Sequence, residues 1–199
     1  MDKTIEELRL SARPELLDVF TRAFTAQAFM PSVGNRPETV RAVMKAFLRF
    51  FGGYRSLALR GIRLDGRLVC ASVATDATEE PRILSVGIFL VELVRALGWR
   101  TTTGFGTIHD EQPKYDGRYR ELVLLGTLPS CQGRGLGRRM LERVCDEAAR
   151  GGYAGVILLT SRDAPAFRLY TKSGFGVDNE FPFGDVTLCW MRWTGPRKT

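Results

Sequence analysis

The chain lacks much of what several reaction classes need. It has one histidine, His109, so a His-rich metal site is excluded and a His-based triad has a single candidate. Its four cysteines, Cys70, Cys131, Cys145 and Cys189, lie far apart with no C-x-x-C pair. That spacing argues against a zinc site or a disulfide frame and for reduced thiols. The longest apolar run, Ile83 to Val91, must admit Ser85 and Gly87 and falls far short of the ~20 residues of a membrane span. Lysine is scarce, so the basic character comes almost entirely from arginine. The opening Met1-Asp2-Lys3-Thr4 does not read as a secretion signal, and the expected compartment is the cytoplasm.

What is present is an ordinary globular balance over 199 residues: 44% apolar, 26% charged and a net charge of +7. This predicts a single domain over 1–199, large enough to bury a real core. The positive, guanidinium-rich balance favours an anionic partner such as a phosphate ester. Neither an RNA-recognition nor a helix-turn-helix pattern is found, so no nucleic-acid partner is expected; no membrane partner is expected either.

Periodicity predicts a first strand within Thr4–Leu10 and helices over Glu15–Gln27 and Glu38–Phe51, separated by a loop at Pro31–Pro37. Ser56–Leu64 and Leu68–Thr75 flank Asp65-Gly66, a strong hairpin signal. Ile83–Leu97 is apolar almost all round and reads as a buried helix. Thr101–Gly117, rich in Gly, Thr and charge, reads as a loop. Glu121–Thr127 reads as a central strand buried on both faces. Helix follows from about Gly135 to Arg150, then a strand at Gly155–Thr160 and a short helix at Ala164–Ser173. A last strand pair, Phe175–Phe181 and Val186–Trp193, turns around Pro182–Gly184. If Val186–Trp193 is an edge, two copies can pair across it as a homodimer.

The most informative stretch is LLGTLPSCQGRGLG, Leu124 to Gly137. A strand runs into Gly133, Gly135 and Gly137, which open a helix. Backbone N–H groups and the positive end of the helix there suit a pyrophosphate, with Arg134, Arg138 and Arg139 adding charge. The bland alternative is a glycine turn that merely lets strand and helix pack closely. The dinucleotide-binding fingerprint fails because Arg138 stands where its third glycine belongs, and the P-loop fails for want of G-K-[ST]. The pattern that fits is [QR]-x-x-G-x-[GA], at Gln132, Gly135 and Gly137.

Downstream, Ala166-Phe167-Arg168-Leu169-Tyr170-Thr171-Lys172-Ser173-Gly174-Phe175 reads A-x-x-L-Y-x-K-x-G-F. Together the two motifs resemble the GNAT superfamily of acyl-CoA N-acyltransferases, firmly over Leu122–Phe175. The stretch around Gly135 is also similar to the puromycin-acetyltransferase-like branch. The resemblance implies an α/β (α+β) fold with a mixed, centrally splayed sheet of about six to seven strands flanked by helices. It implies acetyl-CoA as co-substrate, lying in the gap between Glu121–Thr127 and Gly155–Thr160. Its pantetheine would pair with backbone near Thr127 and Leu128. Its pyrophosphate would meet the N–H groups of Gln132, Gly133, Arg134, Gly135, Leu136, Gly137 and Arg138. The Leu128 N–H would hold the thioester oxygen. Ser161 and Ala166 would complete the cofactor contacts. Asp163 stands where many members carry Asn; it can cap the following helix, but when ionised it cannot donate to pantetheine.

Tyr170 would be the general acid for the leaving thiolate, or a core aromatic on Leu169 and Phe175. Glu121 matches by count the glutamate base of the histone-acetylating members; its alternative is a solvated strand-end carboxylate paired with Arg118 or Arg120. His109 is a second candidate base. The Phe-rich segments (Phe20, Phe24, Phe29, Phe47, Phe50, Phe51, Phe89) are read as core, a few lining a pocket for a small amine. The resulting expectation is an acetyl-CoA-dependent N-acetyltransferase acting on a small-molecule primary amine, without a metal. Its rivals are a protein N-terminal or lysine acetyltransferase and a non-catalytic acyl-CoA sensor.

Overall fold

The computed structural model describes residues 4–26 and 36–195. Gln27, Phe29 and most of the expected loop at Pro31–Pro37 lie outside the described residues. Strand β1 (Ile5–Glu7) leads into helices α1 (Arg13–Ala26) and α2 (Pro37–Phe51). Pro37 opens α2, where its fixed φ suits the first turn and its missing N–H costs nothing. Strands β2 (Ala58–Leu64) and β3 (Arg67–Asp76) form the predicted hairpin. Asp65 and Gly66 both have positive φ, 51° and 78°, the two-residue turn that matches strand twist.

Two expectations fail in the next segment. Thr101–Gly117 is not a loop throughout: α3 (Ile83–Leu97) is followed by a second helix, α4 (Trp99–Asp110). Gly98, at φ 81°, breaks the direction between them, and the buried Thr102 donates its hydroxyl to the Gly98 carbonyl at 2.9 Å. Tertiary packing overrides the poor intrinsic propensity of Gly and Thr. Nor is α3 buried. Leu93 is its one fully buried residue, while Ile83 is 91% and Leu84 76% exposed, and Ile88, Leu90 and Val91 are also exposed. The helix rests on α2 through an aromatic cluster, with Phe89 stacked on Phe50 at 4.6 Å and edge-on to Phe47 at 5.2 Å.

The remaining elements are β4 (Tyr119–Thr127), α5 (Leu136–Arg150), β5 (Gly155–Ser161), α6 (Pro165–Lys172), β6 (Gly176–Phe183) and β7 (Val186–Thr194). Among the described residues the strands form one mixed seven-stranded sheet in the order β1-β2-β3-β4-β5-β7-β6. Only β4 and β5 pair in parallel. The expectation of an edge at Val186–Trp193 is overturned: β7 lies between β5 and β6, both flanks hydrogen-bonded, and cannot pair with a second copy.

Each sheet face carries its own core. One gathers Leu16, Phe20, Val40 and Met44 of α1 and α2 with Tyr119, Ile157 and Trp190. The other gathers Leu141 and Val144 of α5 with Leu122, Leu158, Tyr170 and Phe175. Gly126 marks the contact of α1 with β4: a Cβ there would lie 2.8 Å from the Phe20 ring. The four cysteines are buried and unpaired.

Candidate active site

The site begins with a split in the sheet. Strands β4 and β5 pair only at Tyr119–Gly155, Arg120–Val156 and Glu121–Ile157. Just beyond, the β3–β4 register slips: Val73 faces Leu124 while Ala74 faces Leu122, which leaves Val123 as an extra residue. A bulge of this kind bends its strand, and β4 leaves β5 at that point. Its second half is therefore not buried on both faces as expected; Val123, Leu125 and Thr127 stay half-buried along a V-shaped gap.

The backbone at the open end corrects one further expectation. The Leu128 N–H does not face the gap, because it donates to the Val69 carbonyl at 2.8 Å. Alternation along an antiparallel ladder then turns the N–H and C=O groups of Leu125 and Thr127 away from β3, toward the gap. The Thr127 carbonyl is met by the Gln132 side-chain amide at 3.1 Å, so Gln132 ties the glycine turn to the strand. The Thr127 hydroxyl donates to Cys70 Sγ at 3.2 Å.

The turn itself is built for an open backbone. Gly133 and Gly135 have φ of 74° and 75°, and a Cβ at either would meet nothing within 4 Å. Neither glycine is needed for packing; both are needed for conformation. Gly137 differs: its φ is not left-handed, and a Cβ would rest in ordinary contact with Leu169 Cδ2 at 3.6 Å and Thr127 Oγ1 at 3.7 Å. The close-packing alternative thus describes none of the three glycines: Gly133 and Gly135 have open space, and Gly137 has room for a Cβ. Leu136 is buried and offers only its backbone. Arg138 pairs with Glu142 at 2.9 Å, whereas Arg134 and Arg139 are exposed with no ion pair among the described residues. Ser161 ends β5 across the gap, its hydroxyl 3.4 Å from the Asp163 N–H, and Ala166 lies in the first turn of α6. Asp163 does not cap that helix; its N-cap position is Ala164, with no side-chain cap.

Glu121 occupies the closed end of the V, the last residue of β4 paired to β5. The expected pairing with Arg118 or Arg120 does not form. Arg118 binds Asp76 at 2.6 Å, and Arg120 donates to the Tyr153 hydroxyl at 3.1 Å. The Glu121 side chain keeps a partial opening to solvent, and burial alone pushes its carboxyl up to about 7. Tyr170 is 7% exposed, packed on Phe175 at 5.8 Å between ring centroids, and burial raises its phenol well above the usual value. Counting from Tyr119 with the two-residue period of a strand, Glu121 shares the α1–α2 face, while Tyr170 lies in the opposite core. His109 is exposed on α4, lining a separate cleft of about 390 Å³ with Tyr115 and Tyr119.

Three further side chains carry no motif. Thr75 is its cross-strand partner on β3, fully buried, its hydroxyl without a hydrogen-bond partner. Trp190, 3% exposed in the α1–α2 core, has an indole N–H in the same condition. Tyr54 follows α2; burial first, then the charges of Glu121 and Glu79, raise its phenol to about 12. It lines a cleft of about 580 Å³ with Phe50, Ser56, Asp76 and Glu79. Nothing in local sequence marks Thr75 or Tyr54, since their proximity to Glu121 arises from register and chain reversal.

A split parallel strand pair with a glycine turn at its open end is the architecture the two motifs imply; Glu121 stands at its closed end. Residues 93–175 match the acetyltransferase (GNAT) family, and the chain carries a GNAT acetyltransferase family domain. It is 35% identical over 104 residues to mycothiol acetyltransferase of Brachybacterium faecium, covering 52% of this chain and 31% of that protein. It is 36% identical over 93 residues to the L-methionine sulfoximine/L-methionine sulfone acetyltransferase of Salmonella typhimurium, covering 46% of this chain and 53% of that one. The matched stretch thus spans about half or less of these relatives. Among solved structures, arylalkylamine N-acetyltransferase 2 from Aedes aegypti superposes with a TM-score of 0.70 at 12% identity, covering 98% of this chain and 99% of that chain. The PaiA N-acetyltransferase of Thermoplasma acidophilum, solved with coenzyme A, superposes at 0.60 and 13% identity with the same coverage. At such identities the likeness is one of fold. No helix among the described residues is long and apolar enough to cross a membrane.

Proposed function

We propose that the protein is an acetyl-CoA-dependent N-acetyltransferase whose acceptor is the primary amine of a small molecule. The observation that carries this reading is the V-shaped gap, with an open glycine turn at one end and Glu121, unpaired and raised to about 7, at the other. The residues fit the co-substrate: Gly133 and Gly135 present unobstructed N–H groups, Arg134 and Arg139 add free positive charge, and Leu125 and Thr127 turn backbone groups into the gap. That arrangement suits a pyrophosphate followed by an amide-bearing arm.

Acetyl-CoA supplies the activated acyl group; the protein supplies position and proton transfer. Glu121, half ionised near neutral pH, takes a proton from the incoming ammonium, directly or through water. A carboxylate near its ordinary value would be a weaker base. Tyr170 stays protonated throughout the working range, and it can hand its proton to the departing thiolate because burial in the same dry site disfavours the thiolate's charge as it disfavours the phenolate's. With Leu128 N–H committed to β3, the oxyanion donor falls to backbone groups of β4 that face the gap, at or next to the bulge. Glu121 and Tyr170 act from opposite faces of the sheet, so base and acid do not exchange the proton between themselves. Mycothiol acetyltransferase and methionine sulfoximine acetyltransferase, both named for small molecules, support the acceptor class.

The test is calorimetric titration with acetyl-CoA, followed by release of CoA thiol against an amine panel. Micromolar binding and turnover are expected, and Tyr170→Phe should slow turnover by about 10²-fold with binding intact. Tight binding without turnover, indifferent to Tyr170→Phe, would instead support a sensor.

A further inference from the structure

The cleft beside Tyr54 carries charge in a graded way that a simple amine does not need. Its inner wall holds Tyr54, Ser56, Asp76 and Glu79, all buried or half-buried; its rim holds Arg55, Glu80 and Arg82, all exposed. Inside, Asp76 is neutralised by Arg118. Glu79 keeps its charge while accepting the N–H groups of Arg55 at 2.7 Å and Ser56 at 3.0 Å. Next to this lining, Thr75 precedes Asp76 on β3 with its hydroxyl unpartnered, and its cross-strand neighbour Glu121 is near enough for its charge to act on Tyr54. At the rim, neither Arg55 nor Arg82 has an ion pair among the described residues, and two guanidinium groups outweigh the one carboxylate of Glu80. The potential therefore runs from negative at depth to positive at the mouth.

Resting on the acetyltransferase reading, we infer that this cleft receives the acceptor and that the acceptor is an amino-acid-like zwitterion, its amine inward past Tyr54 and its carboxylate between Arg55 and Arg82. A guanidinium binds a carboxylate through two parallel hydrogen bonds, and Arg55 and Arg82 are free to do so. At the inner end Glu79 and Glu121 attract the ammonium, and the Thr75 hydroxyl accepts from it. Phe50 and Tyr54, edge-on at 5.6 Å, supply the apolar wall for the acceptor's body. The transfer balances without a further reactant. The amine nitrogen bonds to the acyl carbon as the carbon–sulfur bond breaks. The ammonium gives up two protons in all, one to Glu121 before attack and one to solvent as the tetrahedral adduct collapses. Tyr170 protonates the departing sulfur and regains its proton from solvent, so the products are an N-acetylamino acid, free thiol and one released proton.

The experiment compares the common α-amino acids with the matching amines that lack the carboxylate, each with acetyl-CoA, by thiol release. The expected result is a preference of at least about tenfold in kcat/KM for the amino acid of the best pair. Arg55→Gln and Arg82→Gln each shrink that preference about tenfold, chiefly through KM, while Arg95→Gln, exposed on α3 outside the cleft, leaves it in place. All three arginines are exposed and lack ion pairs among the described residues, so the variants are expected to fold, checked by circular dichroism. Turnover in which the bare amine equals or exceeds its amino acid would overturn the zwitterion inference and leave the acetyltransferase reading standing. Absence of turnover with every compound, by a protein shown to be folded, would overturn that reading and this inference with it.

Discussion

Two helix-bearing segments meet at this site and are held by different means. From β4 to α6, every element places side chains in one of the two sheet cores, and Leu136, Met140, Leu141, Val144 and Ala148 tie α5 down along its length. The α3–α4 pair, inserted between two strands that are hydrogen-bonded neighbours, has Leu93 as the only fully buried residue of α3 and spreads several large apolar side chains over the surface. The first segment forms the gap and the glycine turn, where backbone atoms must be fixed to a fraction of an ångström. The second borders the cleft proposed for the acceptor. Rigid backing suits a constant co-substrate, and a lightly seated wall suits a side of the site that sets selectivity.

The sharpest way to break this comparison is at the junction itself. Glu121→Gln should lower kcat/KM by about 10²–10⁴-fold and abolish a pH–rate profile that rises with an apparent pKa near 7, acetyl-CoA affinity being unchanged by calorimetry. The same substitution has a stability signature. Folding raises the Glu121 pKa from 4.5 to about 7, so the folded state holds the proton more tightly than the unfolded chain. The stability this contributes is complete below about pH 4.5 and is lost as pH rises through 7. In denaturant titrations, Glu121→Gln should match the parent at pH 4 and exceed it by about 1–3 kcal/mol at pH 8.

Leu93→Ala removes the anchor of α3 and should cost about 2–5 kcal/mol in chemical denaturation. A loss below 1 kcal/mol would show that the inserted pair folds independently of its one buried contact. In the motif segment, Gly135→Val forces a branched side chain into a left-handed conformation at the open turn, at a cost of about 1–2 kcal/mol; acetyl-CoA affinity should fall at least about tenfold. The smallest effect belongs to Gly87→Ala on α3, where nothing lies within 4 Å and φ is not left-handed. It should stabilise the protein by about 0.5–1 kcal/mol without altering turnover, and a larger change in turnover would mean that α3 contributes directly to the site.

The two segments also differ in how far they could be read in advance. The elements from β4 to β7 fell close to their expected bounds, because each announces itself by a short-range signal: an apolar run, glycines at helix starts, a motif with fixed spacing. The α4 helix escaped because Thr and Gly argue locally against it, whereas its packing on α3 and the seating of Ile108 against the main core are contacts that local sequence does not show. The exposure of α3 escaped because an all-apolar helix says nothing of which neighbours reach it. At the site, the glycine turn, Glu121 and Tyr170 were legible as residues. The freedom of Glu121 was not, since Arg118 and Arg120 stand next to it in sequence yet bind Asp76 and Tyr153.

The chain's own residues determined the class of the protein: an apolar strand that runs into Gly133, Gly135 and Gly137, and a second motif at Ala166–Phe175 whose Tyr170 follows Gln132 by 38 residues (170 − 132 = 38), could be read as local chemistry. The tertiary structure decided where β4 leaves β5, which N–H groups face the gap, and which face carries Glu121. Those properties depend on a register slip between Val73 and Ala74 and on strands brought together from distant parts of the chain. A one-residue shift in pairing reverses every side chain beyond it and redirects every backbone group, and no local pattern in the sequence encodes that choice.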